Sequence, residues 1–334
     1  MIELKDYQEK AIEKLKDEVN ELLESDENKI CVFKSPTGSG KTLMMAESLK
    51  RLVRLREDTK KLSFIWISVN KLHDQSKDSL ERYYEDTRIL KCSNFEDLQD
   101  KTIDENEILF FNWQSINKKD NIYIRENEQD NNLSNIITNT KDEGRNIILI
   151  IDESHHTAKA EKSKEVIDAI NPKVTIEVSA TPQIKDLSRI VEVDFKKVQE
   201  EGMIKKEVTI NPEIDKIKLS GKSTDDIVID IALKKRKELR KLYEKVGSNI
   251  NPLVLIQLPD NKAGVLDRKE DVIEKLKKKG ITTENRKLAI YLSDTDSKIN
   301  LENISKLDNE VEVLIFKQAI ALGWDCPRAQ ILVL

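Results

Sequence analysis

The most specific chemical signal in the chain is Ser35-Pro36-Thr37-Gly38-Ser39-Gly40-Lys41-Thr42. It lies between a short aliphatic block, Ile30–Phe33, and a segment that carries Met45, Leu49 and Leu52 at helical spacing. A strand, a glycine-bearing loop and a helix in that order aim successive backbone N–H groups and the positive end of a helix dipole at one point, which suits a phosphate. Glycine lets the backbone approach the anion with no Cβ in the way. In such a loop Lys41 reaches the β- and γ-phosphates of a nucleotide, and the Thr42 hydroxyl completes the shell of a magnesium ion. The plainer reading, a turn that only joins a strand to a helix, does not need this order of flanking elements.

A second group stands at the end of the block Ile147–Ile151, where Asp152, Glu153, Ser154, His155 and His156 follow one another. Two carboxylates at the carboxyl end of a buried parallel strand lie on the side of the sheet where ligands bind. Asp152 is expected to hold magnesium through its water shell, and Glu153 to orient and deprotonate an attacking water. A solvated acidic turn is the bland alternative, and the phosphate loop beside it tells against that. ATP and Mg2+ are the expected cofactors. Lys41 and Glu153 are the expected catalytic residues, Thr42 and Asp152 serve the metal, and Thr37, Gly38, Ser39, Gly40, Lys41 and Thr42 surround the nucleotide.

These residues need a scaffold, and the aliphatic blocks supply one. Ile30–Phe33, Leu62–Val69, Ile108–Phe111, Ile147–Ile151 and Val174–Val178 are each of strand length, and helical or polar segments separate them. That alternation predicts a parallel α/β sheet. An amphipathic helix with Ile12, Leu15, Val19 and Leu22 on one face opens the chain. Residues 112–146 turn polar and read as an insertion or surface loop with little core. A second series of blocks, Leu253–Leu258, Leu288–Leu292, Val311–Phe316 and Ile331–Leu334, follows one long charged helix over Asp225–Val246. The expected division is a first domain over 1–195, a connector over 196–214 and a second domain over 215–334.

The bulk numbers agree with a two-domain enzyme. A chain of 334 residues exceeds the size at which single cores usually stop growing. With 57 Lys and Arg against 62 Asp and Glu, the net charge is −5, so any nucleic-acid contact must be local. The runs Lys234-Lys235-Arg236-Lys237 and Lys277-Lys278-Lys279 sit among acidic neighbours and read as solvated helix faces. The 3 cysteines and 3 histidines are too scattered for a zinc cluster. No aliphatic run is long enough to cross a bilayer, and Glu3 and Asp6 stand where a signal peptide would be apolar, so a cytoplasmic protein without membrane contact is expected.

Taken together, the loop Ser35–Thr42 and the acidic pair Asp152-Glu153 resemble a superfamily-two helicase of the DExH type, closest to the motor (Res) subunit of type III restriction enzymes. The resemblance runs over nearly the whole chain. It implies two RecA-like P-loop NTPase domains in tandem, the second incomplete at its C-terminus. Tyr7 and Gln8 match the family's adenine-recognising glutamine motif, since a carboxamide offers the adenine edge both a donor and an acceptor. Ser179-Ala180-Thr181-Pro182 matches the motif that couples the ATP site to the nucleic-acid track, with Ser179 and Thr181 in reach of His155 or the acidic pair. The segments Ser68–Ser76 and Asn112–Ser115 resemble the track itself. From them Asn70, Gln75, Ser76, Gln114 and Ser115 are expected to meet phosphates without reading bases. Trp113 is open between stacking on a base and packing in the core. In the second half, Phe316–Ala329 resembles the motif where that domain meets ATP and track. There Gly323 allows close approach and Asp325 accepts a ribose hydroxyl or braces the cleft.

The resemblance implies an ATP-dependent helicase or translocase with nucleic-acid-stimulated ATPase activity, working on double-stranded DNA in bacterial defence. It also implies a methyltransferase or nuclease subunit as partner. An RNA-remodelling helicase would carry the same ATP residues. A non-catalytic ATP-binding scaffold would have no need of Glu153. In the resembled family the second domain continues beyond a strand like Ile331–Leu334 into a motif with arginines that reach the γ-phosphate. A chain ending at Leu334 is therefore expected to bind ATP and hydrolyse it poorly.

Overall fold

The computed structural model describes residues 3–25, 29–59, 61–68, 72–113, 133–153, 161–182, 189–204, 210, 223–259, 268–292, 298–317, 324 and 326–334. It falls into two compact units, Met1–Ile210 and Asn211–Leu334.

In the first unit the elements run α1 (Asp6–Leu23), β1 (Lys29–Lys34), α2 (Lys41–Leu55), β2 (Leu62–Ser68), α3 (Leu72–Tyr84), β3 (Lys91–Ser93), β4 (Glu107–Asn112), α4 (Leu133–Asp142), β5 (Asn146–Asp152), α5 (Glu161–Ile170), β6 (Val174–Ser179), β7 (Arg189–Glu192) and α6 (Phe195–Glu200). Among the described residues, 7 strands form one sheet in the order β3-β4-β2-β5-β6-β1-β7. Every pairing in it is parallel.

Both faces of this sheet are covered, which is why its strands read as continuous apolar runs. Side chains alternate between the faces. Phe64, Trp66, Ile108, Phe110, Ile148 and Ile150 pack with Ile12, Leu15 and Val19 of α1, Met45 and Leu49 of α2, and Leu80 and Tyr84 of α3. Ile65, Ile67, Leu109, Phe111, Leu149 and Ile151 pack instead with Ile136 and Ile137 of α4 and with Ile170 of α5. Helix α4 adds core to a stretch expected to have little. Its Leu133, Ile136, Ile137 and Thr140 are buried at helical spacing, and the surrounding Asn and Asp residues dilute that pattern in the sequence. The short helix α6, which starts at the end of the expected first domain and runs into the connector, buries Val198 in the first unit's core.

The second unit contains α7 (Thr224–Lys245), β8 (Leu253–Gln257), α8 (Arg268–Lys277), β9 (Leu288–Tyr291), β10 (Lys298–Ile299), β11 (Val313–Phe316) and β12 (Ala329–Val333). Its sheet runs β10-β9-β11-β8-β12, with β10 antiparallel and the rest parallel. Ile229 and Ala232 of α7 and Val272 and Leu276 of α8 close one face over Val254, Ile256, Ile290 and Ile315. At the amino ends of the strands the fully buried Arg328 guanidinium donates to the carbonyls of Asn251 (2.9 Å), Asn309 (2.8 Å) and Val311. No described helix is long and apolar enough to cross a membrane.

Candidate active site

The carboxyl ends of β1 and β5 open on the same edge of the first sheet, with β6 between them. The register pairs Lys34 with Ser179, and Asp152 with Val178. Lys34 is the last residue of β1, and the loop Ser35–Gly40 follows it into α2. The backbone of this loop is fixed from within and from below. Ser35 N–H donates to the Ser179 carbonyl (3.0 Å), and Ser39 N–H donates to the Pro36 carbonyl (3.2 Å). The hydroxyls of Ser35 and Ser39 are bonded to each other and buried.

Gly38 and Gly40 take φ of +84° and +86°, the left-handed region that a side chain disfavours. A Cβ on Gly40 would stand 2.7 Å from Gln8 Nε2. Gly40 also begins α2 without a side-chain cap, so the first N–H groups of that helix face the loop with no side-chain acceptor. Such an end holds an anion. Thr37 and Gly38 are exposed, and Lys41 and Thr42 are half-buried in the first turn of α2.

Tyr7 and Gln8 lie against this loop. Both are buried. Tyr7 Oη and Gln8 Nε2 both donate to the Ser39 carbonyl, at 2.8 and 3.1 Å. Gln8 Oε1 accepts from Lys5 N–H at 3.0 Å, tying down the first turn of α1. The pair expected to read adenine thus also braces the phosphate loop, a contact that no local sequence signal announces.

The Lys41 Nζ ammonium lies 2.8 Å from Glu153 Oε1. Glu153 has φ of +53°, an uncommon conformation for a residue with a long side chain, of the kind found where a site over-determines the backbone. Its neighbour Asp152 accepts at Oδ1 from Glu153 N–H (3.0 Å) and at Oδ2 from the Ser76 hydroxyl (3.4 Å). Burial pushes the Asp152 carboxyl up to about 6. The Glu153 carboxylate adds to this, while Lys41 and the two hydrogen bonds oppose it.

Other expected residues are distributed as follows. Ser179 is buried, and its Oγ accepts from Thr181 N–H at 3.1 Å, while the Thr181 side chain is exposed. Gln75 is exposed on α3. Ser76, one residue on, is buried and turned to Asp152. Trp113 is packed, not presented to solvent: it is 3% exposed, in the cluster with Phe111, Leu109 and Ile136. Asn70, Gln114, Ser115, His155, Gly323 and Asp325 lie outside the described residues. Among the described residues, no group of three or more His, Cys, Asp and Glu is placed to hold a metal by itself.

A family model described as type III restriction enzyme, res subunit, matches residues 1–184. No curated protein matches the chain. Several solved structures are similar. The helicase MrfA bound to DNA is 13% identical, with a TM-score of 0.53, over 98% of this chain and 44% of its own. RecG bound to a three-way DNA junction is 14% identical, with a TM-score of 0.53, over 99% of this chain and 38% of its own. Dbp5 of S. cerevisiae bound to RNA and ADP BeF3 is 13% identical, with a TM-score of 0.41, over 98% of this chain and 77% of its own. The chain thus spans less than half the length of MrfA and RecG. The likeness bears out the expected fold class, two RecA-like α/β domains in tandem.

Proposed function

The chain belongs to the family of the type III restriction enzyme res subunit, and from that premise we propose that it is a DExH-type ATPase that moves along double-stranded DNA. Within a restriction or anti-phage system it would work beside a methyltransferase or nuclease subunit. The observation that carries this reading is the meeting of Lys41 and Glu153 at 2.8 Å, although they stand 112 positions apart in the sequence. A scaffold that only held a nucleotide would need the cation and not the carboxylate.

The geometry supports the following roles. Triphosphate enters the cradle of Gly38 and Gly40 and the amino end of α2, and Lys41 exchanges the Glu153 carboxylate for the β- and γ-phosphates. Released from Lys41, Glu153 can orient a water and accept its proton. Ser39 and Thr37 shape the loop. Tyr7 and Gln8 hold it through the Ser39 carbonyl, while Gln8 keeps a second N–H and a lone pair for the adenine edge.

A magnesium ion fits the donor set. Thr42 and Asp152 offer hard oxygen ligands, and two protein oxygens suit an ion that keeps its waters and shares the substrate's phosphates. When bound, it would neutralise charge on the phosphates as the terminal group transfers.

The coupling role falls to Ser179 and Thr181. The Ser179 carbonyl holds Ser35 N–H, so a shift of the phosphate loop is felt at the end of β6. His155 is proposed with them. The track is proposed along Asn70, Gln75, Gln114 and Ser115 on the first domain. Gly323 and Asp325 would act from the second domain, with sequence-blind phosphate contacts supplying the grip.

Steady-state ATPase activity measured in parallel with single-stranded DNA, duplex DNA and RNA tests the reading. Stimulation by duplex DNA, with binding that weakens steeply as salt rises, supports it. Stimulation by RNA alone would replace it with an RNA-remodelling helicase, and ATP binding without turnover under any condition would leave only a scaffold.

A further inference from the structure

We propose that Ser76 is a positioning residue for Asp152, setting the orientation of the carboxylate that receives the magnesium ion. The proposal rests on the reading of Asp152 above and adds a residue from a different element of the fold.

Ser76 departs from the usual behaviour of a hydroxyl in a helix. Such groups commonly donate back to the carbonyl one turn earlier, and this chain follows that habit elsewhere. Ser79 donates to the Gln75 carbonyl (2.8 Å), Thr138 to that of Ser134 (2.9 Å) and Thr140 to that of Ile136 (2.7 Å). Ser76, buried on α3, donates instead to Asp152 Oδ2, 3.4 Å away and 76 residues along the chain.

The other oxygen shows why this contact matters. Asp152 Oδ1 accepts from the N–H of the very next residue, Glu153, a local bond that chain connectivity supplies. The carboxylate torsion is broad, so one local bond leaves the plane free to turn. A second, longer contact from α3 restrains the other oxygen and so narrows the directions of the remaining lone pairs. Hydrogen bonds to a metal-binding group from such outer residues tune affinity for the ion.

The experiment uses the full chain and a fluorescent ATP analogue, with Mg2+ titrated at fixed nucleotide. Ser76→Ala is expected to raise the Mg2+ midpoint about tenfold, the lower end of the range for such outer contacts, while affinity for the analogue in EDTA stays at the wild-type value. Ser76→Cys keeps the volume with a poor donor and should match the alanine variant, which covers the case in which Ser76→Ala does not fold. Ser79→Ala removes a hydroxyl from the same helix without touching Asp152 and should keep the wild-type midpoint. A wild-type midpoint in a folded Ser76→Ala or Ser76→Cys protein overturns the proposal, and so does an equal loss of affinity in EDTA. If the wild type itself shows no Mg2+-dependent binding, the reading of Asp152 fails first, and that outcome is distinct from the others.

Discussion

Lys41 Nζ and Glu153 Oε1 are 2.8 Å apart, so the cation proposed for phosphate and the carboxylate proposed for water are each other's partner. In the proposed mechanism phosphate displaces the carboxylate, and the same exchange that seats the nucleotide frees the base. Ligand entry and activation of Glu153 would then be one event.

Glu153→Gln removes both the Lys41 counter-charge and the proposed base. ATP should bind at least as tightly as to the wild type, while turnover falls by roughly 10²- to 10⁴-fold, the usual contribution of a positioned base. Lys41→Ala should instead lose nucleotide binding. Fluorescence titration beside single-turnover hydrolysis separates the two, and loss of binding in Glu153→Gln would make that residue structural.

Gly40 is held to its identity twice, by φ of +86° and by Gln8 Nε2 at 2.7 Å from where a Cβ would stand. Turning Gln8 aside would break its bonds to Ser39 and Lys5. Gly40→Ala should therefore cost more than the roughly 1–2 kcal/mol of the left-handed backbone alone. Adding Gln8→Ala should recover the steric part and not the backbone part. Denaturant melts of the single and double variants measure this, and strictly additive losses would show that the two residues do not meet.

Much of this site was legible in the sequence because its chemistry is local. The loop Ser35–Thr42 and the pair Asp152-Glu153 each follow an aliphatic block, and β1 and β5 place both at the carboxyl edge of the sheet. What the sequence hid are contacts between distant segments. Tyr7 and Gln8 brace Ser39, Ser76 turns from the expected track to Asp152, and Trp113 packs in the core. Helix α4 was hidden for another reason: four buried positions among Asn, Thr and Asp carry too weak an apolar signal.

Asp152 should leave a mark on stability against pH. Its carboxyl is pushed from 3.8 up to about 6 by burial, with Glu153 adding and Lys41 opposing. The folded protein then keeps a proton that the unfolded chain has already lost, so this group's contribution to stability declines as pH rises from about 4 to about 6. Asp152→Asn carries no such charge. In chelator-containing buffer the variant should gain stability relative to the wild type between the acid and the neutral end of that window. A stability difference that stays flat across the window would mean that the carboxylate is well solvated.

Arg328 stands near the end of a segment, Phe316–Ala329, that resembles the motif where the second domain of the family meets nucleotide and track. The structure separates its parts. Phe316 is at the carboxyl end of β11, on the edge where ligands bind to such sheets. Arg328 precedes β12, at the amino ends of the strands, with its guanidinium buried on the carbonyls of Asn251, Asn309 and Val311. Arg328→Ala removes the guanidinium from all three carbonyls; that of Asn309 keeps the Asn251 Nδ2 donor at 2.7 Å, and each buried group left unsatisfied costs about 1–3 kcal/mol. The variant should therefore open the second unit locally, with faster amide exchange at Leu253 and Val254, whose N–H groups donate to the carbonyls of Arg328 and Glu312. Nucleotide binding by the first unit should persist, since the carbonyls that Arg328 holds all belong to the second unit. Wild-type exchange at Leu253 and Val254 in Arg328→Ala would show that the guanidinium does not hold this end of the sheet together.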